Sequence, residues 1–519
     1  MDSDMKKPSL NINIVIVLIL FIFIFLIRIP ILVPMGESDE VPFCVIGKCL
    51  AEGSIIYNEI AHFKGPIRYY TFALFHILSG GLDPVKLRIC FVTMMFLSAV
   101  LLFYAVLHLF NERRLATAGA FYWGISDYLL SHNTIISYTY GMVGIFFFSL
   151  YHKRRKLPYL FLMGLFFGVA MLSNQRSYPF IIVPGLLFLF QHGLKKEFFI
   201  KSAITGAGYL LPFVVVISHL HYIDAFNDFI FQVIYKATAY SDKITLWNYL
   251  IAPFGKIISV IKYQLGFLFV FMLIMLYRIF KEKEIKKDNY LFLLIWMVVC
   301  FLATLLDGKY VKRYNLYFLI PAVVFSMQGF LLIYDKYKTK FYSTPLFKKL
   351  PIAVITVIIL LMHNLFVFNY EISRRIETYK IYLQKRDEIN EICNYLNKIL
   401  DENKDTIYVY NVHRGYDCLV KYRPAVRFIY SKEQLFDTRA VKTPRYKLDQ
   451  SWEYFYKDIE KNNPRIIIDN TGTYFDRNTD FGNTAQNNYK DKLIVYIEKL
   501  YSLDKTVGNT KFYKKIGTS

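Results

Sequence analysis

Long apolar segments recur along this chain, and they leave it few ways to fold. Ile14–Ile27 is an unbroken apolar run. With Ile29–Val33 it is long enough to cross a bilayer, whose hydrocarbon core takes about 20 helical residues. Counting this first segment as 12–33, others follow at about 85–109, 115–130, 134–151, 157–173, 178–191, 198–219, 250–279, 289–306, 315–334 and 350–369, eleven candidate spans in all. Lipid offers a backbone no hydrogen-bond partners, so each span must be a helix. Composition agrees, with 55% hydrophobic residues, 18% aromatic residues and a mean hydropathy of +0.32 over 519 residues. The expected fold is an α-helical polytopic membrane protein. Lys6 and Lys7 precede the first run as in a signal peptide, but the run is too long and no small-residue cleavage site follows. A retained signal anchor is expected. The apolar residues 68–82 read as a reentrant or interfacial helix.

The net charge is +22, from 62 Lys and Arg against 40 Asp and Glu. In a soluble protein such an excess points to nucleic acid; here it reads as topology and headgroup contact. Asn111–Arg114, Tyr151–Lys156, His192–Lys196, Arg278–Lys287 and Asp335–Lys349 are short and basic. With eleven spans and the N-terminus inside, all of them fall on the cytoplasmic side with Lys6 and Lys7. The other loops and everything after the last span are then extracytoplasmic. Asp307–Asn315 is basic on the outer side, an exception that suggests anion binding.

Near residue 370 the composition changes. Residues 1–370 form the transmembrane domain, and residues 371–519 are polar, without a spanning segment. Apolar residues at helical spacing within Ile376–Leu400, strand-like runs at Thr406–Tyr410 and Arg465–Asp469, helices at Trp452–Lys461 and Asp491–Leu500, and a last strand Lys511–Ile516 describe a small α/β domain. The six cysteines show no metal-ligand spacing; Cys393 and Cys418 either pair, if the tail is extracytoplasmic, or stay as thiols.

The first outer loop, 34–68, carries the densest chemistry. It opens on Glu37, Asp39 and Glu40 and closes on His62-Phe63-Lys64-Gly65-Pro66. Between them Cys44, Val45, Leu50 and Ala51 suit one face of a short helix, beginning after Pro42, on the bilayer surface. An Asp-Glu pair after the first span, Ala51-Glu52-Gly53, Tyr57, Lys64 and Pro66 together resemble the first external loop of GT-C glycosyltransferases, namely the protein O-mannosyltransferases and the lipid A aminoarabinose transferases. Gly65 replaces one Pro of the family pattern, and Phe63 stands where an acidic residue is usual.

What the resemblance implies is a GT-C-like bundle of about 11 transmembrane helices, with interfacial helices in the catalytic loop 34–68, plus a C-terminal extracytoplasmic α/β domain. It implies Asp39 as the general base on an acceptor hydroxyl, with Glu40 orienting or hydrogen-bonding beside it. Lys64 matches the family's Lys and would hold the donor phosphate, with Arg68 as a second cation. Arg176, after Gly164–Leu172, stands where relatives carry a Lys. Lys312 and Arg313, in the basic outer loop, resemble an Arg-Tyr element entering a late helix. A guanidinium grips phosphate bidentately, which favours Arg313. Tyr57 and Tyr314 would line the substrate site. Plainer roles exist for each: Asp39 as a helix cap, Lys64 as a snorkelling cation, Arg176 as a helix-end charge, Lys312 and Arg313 as headgroup contacts. Relatives place an acidic residue early in the fourth span, proposed to help bind a divalent metal; here His132–Tyr140 contains no carboxylate, so a metal is possible but no ligand is assigned.

The expected activity is transfer of a sugar from a polyprenyl-phosphate-linked donor to a lipid, glycan or protein acceptor at the extracytoplasmic face of a cell membrane, bacterial plasma or inner. No Gly-rich phosphate loop, zinc spacing or Ser-His-Asp set is present, and the cytoplasmic loops are too short for a nucleotide-binding domain. Rival readings are a transporter or flippase of lipid-linked saccharides, a glycan polymerase or ligase, and a non-catalytic scaffold. A transporter would place charges at mid-membrane depth, on broken helices.

Overall fold

The computed structural model describes residues 12–28, 40–60, 62–125, 134–235, 255, 265–266, 268–306, 316–342, 379–410, 417–428, 448–470 and 484–517. Its helices begin with α1 Ile12–Arg28, α2 Glu40–Ala51, α3 Pro66–Leu78, α4 Pro84–Phe110, α5 Arg113–Ile125, α6 Thr134–Arg154 and α7 Pro158–Ser173. They continue with α8 Pro179–His192, α9 Lys196–Tyr222, the short α10 Phe226–Phe229, α11 Leu268–Lys281, α12 Asp288–Leu306 and α13 Leu316–Tyr342. The tail adds α14 over 379–399, α15 Leu448–Asn462 and α16 Thr484–Leu500.

Among the described residues four helices are long and apolar enough to cross a membrane: α4, α6, α9 and the Tyr317–Tyr337 part of α13. Shorter apolar helices occupy Ile12–Leu26, Pro158–Ser173 and Asp288–Ala303. The expected spans at 115–130, 178–191 and 250–279 overlap α5, α8 and α11; residues 126–130 and most of 250–267 lie outside the described residues, as does 350–369. The fold is thus mostly helical with a small C-terminal sheet.

The chain divides into two compact units. The first comprises residues 1–32, 91–213 and 244–375. Within it α7 and α9 cross at backbone contact. A Cβ at Gly164 would lie 2.0 Å from the Thr205 carbonyl oxygen, and one at Gly208 would lie 2.1 Å from that of Phe161. Small residues at such crossings replace the hydrophobic drive that lipid cannot provide. The basic helix junctions share one face of this unit. Arg114 forks onto Asp335 at 3.0 Å, Arg155 reaches Asp288 at 3.2 Å, Asn289 donates to the Leu109 carbonyl at 3.3 Å, and Arg113 donates to Asn13 at 3.1 Å.

The second unit comprises residues 33–90, 214–243 and 376–519. Its sheet has the order β2-β1-β3-β5-β4, from β1 Thr406–Tyr410, β2 Arg423–Pro424, β3 Ile466–Asp469, β4 Tyr501–Val507 and β5 Thr510–Lys515. β2 and β3 run parallel to β1; β5 is antiparallel to both β3 and β4. α15 and α16 lay Trp452, Phe455, Ile459, Leu493 and Ile497 on Tyr408, Ile467 and Tyr501, burying one core. Cys393 on α14 is joined to Cys418 by a disulfide, Cα to Cα 5.7 Å.

The first outer loop belongs to this second unit, and the tail holds it. Lys48 donates to the Lys421 carbonyl, and Arg423 donates to Ser54 at 3.2 Å and to Glu59 at 3.3 Å. Asp228, just past α9, accepts from Asn58 at 3.2 Å and lies 3.8 Å from Arg427, which is itself bound through Nε to Asp458 at 2.8 Å and stacked on Tyr454. α2 begins three residues earlier than expected and is buried nearly all round, not along one face, because α3 and the tail both cover it. The interfacial helix expected at 68–82 is α3, whose Leu74, Ile77 and Leu78 remain exposed.

Candidate active site

Glu40 opens α2, and its carboxylate is only 1% exposed. Arg88, in the first turn and a half of α4, grips it bidentately, Nε to Oε1 at 2.8 Å and Nη2 to Oε2 at 2.5 Å. Sequence reasoning missed Arg88. The available signal was an arginine just inside an apolar helix, where a charge demands a partner.

After α2 the chain turns tightly. Tyr57 takes a left-handed φ of 66°, costly for a bulky residue, and its amide donates to the Ile60 carbonyl at 2.8 Å. Its ring is fully buried against Phe229 and Tyr69. The turn ends at Gly65, in extended conformation, and Pro66 starts α3; Pro suits that first position because its missing N–H would be unpaired there anyway. Lys64, Arg68 and the positive end of α3 thereby collect in one place. Arg68 is 1% exposed, and the Lys64 ammonium sits 5.0 Å over the Phe63 ring.

Between them lies His62, buried and stacked on Phe63, with Nδ1 hydrogen-bonded to the Tyr69 hydroxyl. Burial, then the charges of Lys64 and Arg68, hold its pKa well below the ordinary imidazole range, so the ring is neutral. Burial also pushes the Tyr57 phenol well above its usual value, which keeps it a hydrogen-bond donor. Of the expected residues, the structure therefore brings Tyr57, Lys64 and Arg68 together and adds His62 and Tyr69.

Arg176 lies in the first unit, in the turn Gln175–Ser177 after α7. The Asn174 side chain accepts from its amide, Ser177 shares a hydrogen bond with the Tyr317 hydroxyl at 2.8 Å, Ser137 meets the same hydroxyl at 3.2 Å, and Tyr138 stacks on Tyr317 at 4.2 Å. This buried polar knot joins α6, α13 and the Arg176 turn. Asp39, Lys312, Arg313, Tyr314 and His132 lie outside the described residues.

Residues 64–222 match the model of the dolichyl-phosphate-mannose-protein mannosyltransferase family. ArnT from Cupriavidus metallidurans, solved with undecaprenyl phosphate, superposes with a TM-score of 0.55 at 12% identity over 98% of both chains. AglB, the oligosaccharyltransferase of Archaeoglobus fulgidus, solved with an inhibitory peptide and a dolichol-phosphate, gives 0.52 at 13% identity over 99% of this chain and 75% of its own. This chain has the GT-C glycosyltransferase fold. A search of curated protein sequences finds no match. Another AglB structure holds zinc and sulfate. Among the described residues of this GT-C chain, no group of three or more His, Cys, Asp or Glu stands close enough to hold a metal ion.

Within the GT-C frame the chemistry divides plainly. The matched segment begins at Lys64, the first residue of the cationic cluster, and includes Arg68 and Arg176. Two cations and a helix N-terminus are suited to an anionic leaving group. Glu40 is held by the Arg88 guanidinium, a pair that fastens the start of α2 to α4.

Proposed function

We propose that this protein transfers a sugar from a polyprenyl-phosphate-linked donor to an acceptor on the extracytoplasmic face of a cell membrane. The observation that carries the reading is the assembly of Lys64 and Arg68 around neutral His62 at the start of α3, in a chain with the GT-C fold. Lys64, Arg68, Arg176, Lys312 and Arg313 take the donor phosphate as it leaves, Tyr57 and Tyr314 border the substrate, Asp39 draws the proton from the acceptor hydroxyl, and Glu40 orients or hydrogen-bonds beside it. With purified protein and labelled acceptor extract, lipid-linked sugars are expected to support transfer and nucleotide sugars alone are not. Transfer from nucleotide sugars without lipid carrier would overturn the reading. Arg176→Ala and Arg313→Ala are each expected to weaken carrier binding by about 1.5–3 kcal/mol, the worth of a charge-assisted contact. Unchanged affinity in both would leave them as headgroup anchors.

The same reading sets the topology, with the N-terminus cytoplasmic and residues 371–519 outside. The Cys393–Cys418 disulfide supports it, since such bonds persist in oxidising compartments. Protease added to intact spheroplasts is expected to remove the tail. Protection of the tail until the membrane is permeabilised would reverse the orientation and displace the proposed site with it.

A further inference from the structure

Lys64 is held by its backbone in an uncommon way. Tyr57 donates its hydroxyl hydrogen to the Lys64 carbonyl at 2.7 Å, and the Lys64 amide donates to the Tyr69 hydroxyl at 3.2 Å. Both polar groups of one loop residue are thus taken by phenols, from seven residues before and five residues after. Both phenol rings are buried. The Tyr69 hydroxyl, which accepts from the Lys64 amide, also shares a hydrogen bond with Nδ1 of His62. When the neutral imidazole carries its proton on Nε2, the chain of donors runs Lys64 N–H, Tyr69 O–H, His62 Nδ1. The strained backbone of Tyr57 belongs to the same device, because the left-handed turn is what swings its ring under Lys64. Packing of Tyr57 on Phe229 and of His62 on Phe43 and Phe63 fixes the clamp from behind.

We propose that Tyr57, Tyr69 and His62 are positioning residues that clamp the backbone of Lys64, so that its ammonium is already aimed when the donor phosphate arrives. The proposal rests on the reading of Lys64 as a phosphate ligand. Its physical content is preorganisation: the ordering entropy of the loop is met during folding and is not subtracted from binding. It assigns Tyr57 a task separate from lining the substrate, namely holding a carbonyl through its hydroxyl.

The test is a set of double-mutant cycles on the full-length protein, reading dissociation constants for undecaprenyl phosphate and for dolichyl phosphate. Tyr57→Phe and Tyr69→Phe each delete one hydroxyl and keep the ring. Each is expected to weaken binding about 3–10-fold, the range of one net hydrogen bond. Neither is expected to weaken it further in a Lys64→Met background, because the groups act through one residue. His62→Leu is expected to behave like Tyr69→Phe. His62→Asn restores an acceptor near the place of Nδ1 and is expected to recover most of the loss, which also covers the case that His62→Leu fails to fold. Equal weakening with and without Lys64 would overturn the clamp and leave a packing role. Full affinity of both tyrosine variants, alongside a loss in Lys64→Met, would overturn the clamp alone. Full affinity of Lys64→Met would overturn the phosphate reading, and the clamp with it.

Discussion

Asp39→Asn is expected to express, fold and bind its lipid carrier normally while sugar transfer falls by about 10²–10⁴-fold, the usual contribution of a general base. The substitution is chosen because it separates two roles for one carboxylate. Asp39 directly precedes α2, a place where Asp commonly caps a helix. Asn caps about as well as Asp, so a capping role alone predicts near-normal transfer from the variant. A base must accept a proton, and an amide does not. The readout is transfer from a mixture of lipid-linked donors to labelled acceptor extract, with carrier affinity measured on the same preparation. Robust transfer by Asp39→Asn would sink the mechanism and shift the task to Glu37, because Glu40 is engaged by Arg88.

The helices were legible because the bilayer imposes a length. The apolar segments at 85–109 and 198–219 differ by only a few residues from α4 and α9. In the tail, Thr406–Tyr410 was legible as a strand because alternating β-branched and aromatic residues have few other uses. β4 was not, since Ser502, Asp504, Lys505 and Thr506 carry no strand-like apolar pattern; it is held as a hairpin on β5. The two-residue β2 lies below any periodic signal. For the site, the resemblance pointed to Tyr57 and Lys64 by type and order, and Arg68 followed as a second cation in the same loop. What it did not reveal was long-range pairing. Arg88 meets Glu40 across 48 residues, and Arg423 reaches Glu59 across 364, distances over which composition says nothing about partners. The pairing of Cys393 with Cys418 stayed open for the same reason.

The Glu40–Arg88 pair makes the second large effect. Two opposite charges with side chains 1% and 5% exposed, joined by two short hydrogen bonds, are stable only as a pair. Removing one partner leaves the other charged in an apolar setting, and such lesions typically cost ~3–5 kcal/mol. Glu40→Gln and Arg88→Met are therefore each expected to lower the unfolding temperature markedly and to expose the loop between α2 and α3 to protease. Replacing both together by apolar residues of similar size, Glu40→Leu with Arg88→Met, removes the desolvation problem with the pair, and such exchanges are often neutral or stabilising. The double variant is expected to recover the stability that either single variant loses. Single variants as stable as the wild type would mean that the pair is solvated in the folded protein. Transfer by the stable double variant then decides the role of Glu40. If Glu40 and Arg88 only fasten α2 to α4, the double variant transfers sugar at a near-normal rate. If Glu40 sets the orientation of Asp39, that variant folds, binds carrier and fails to transfer, because the polar contact that aims the neighbouring carboxylate is gone while the packing is restored.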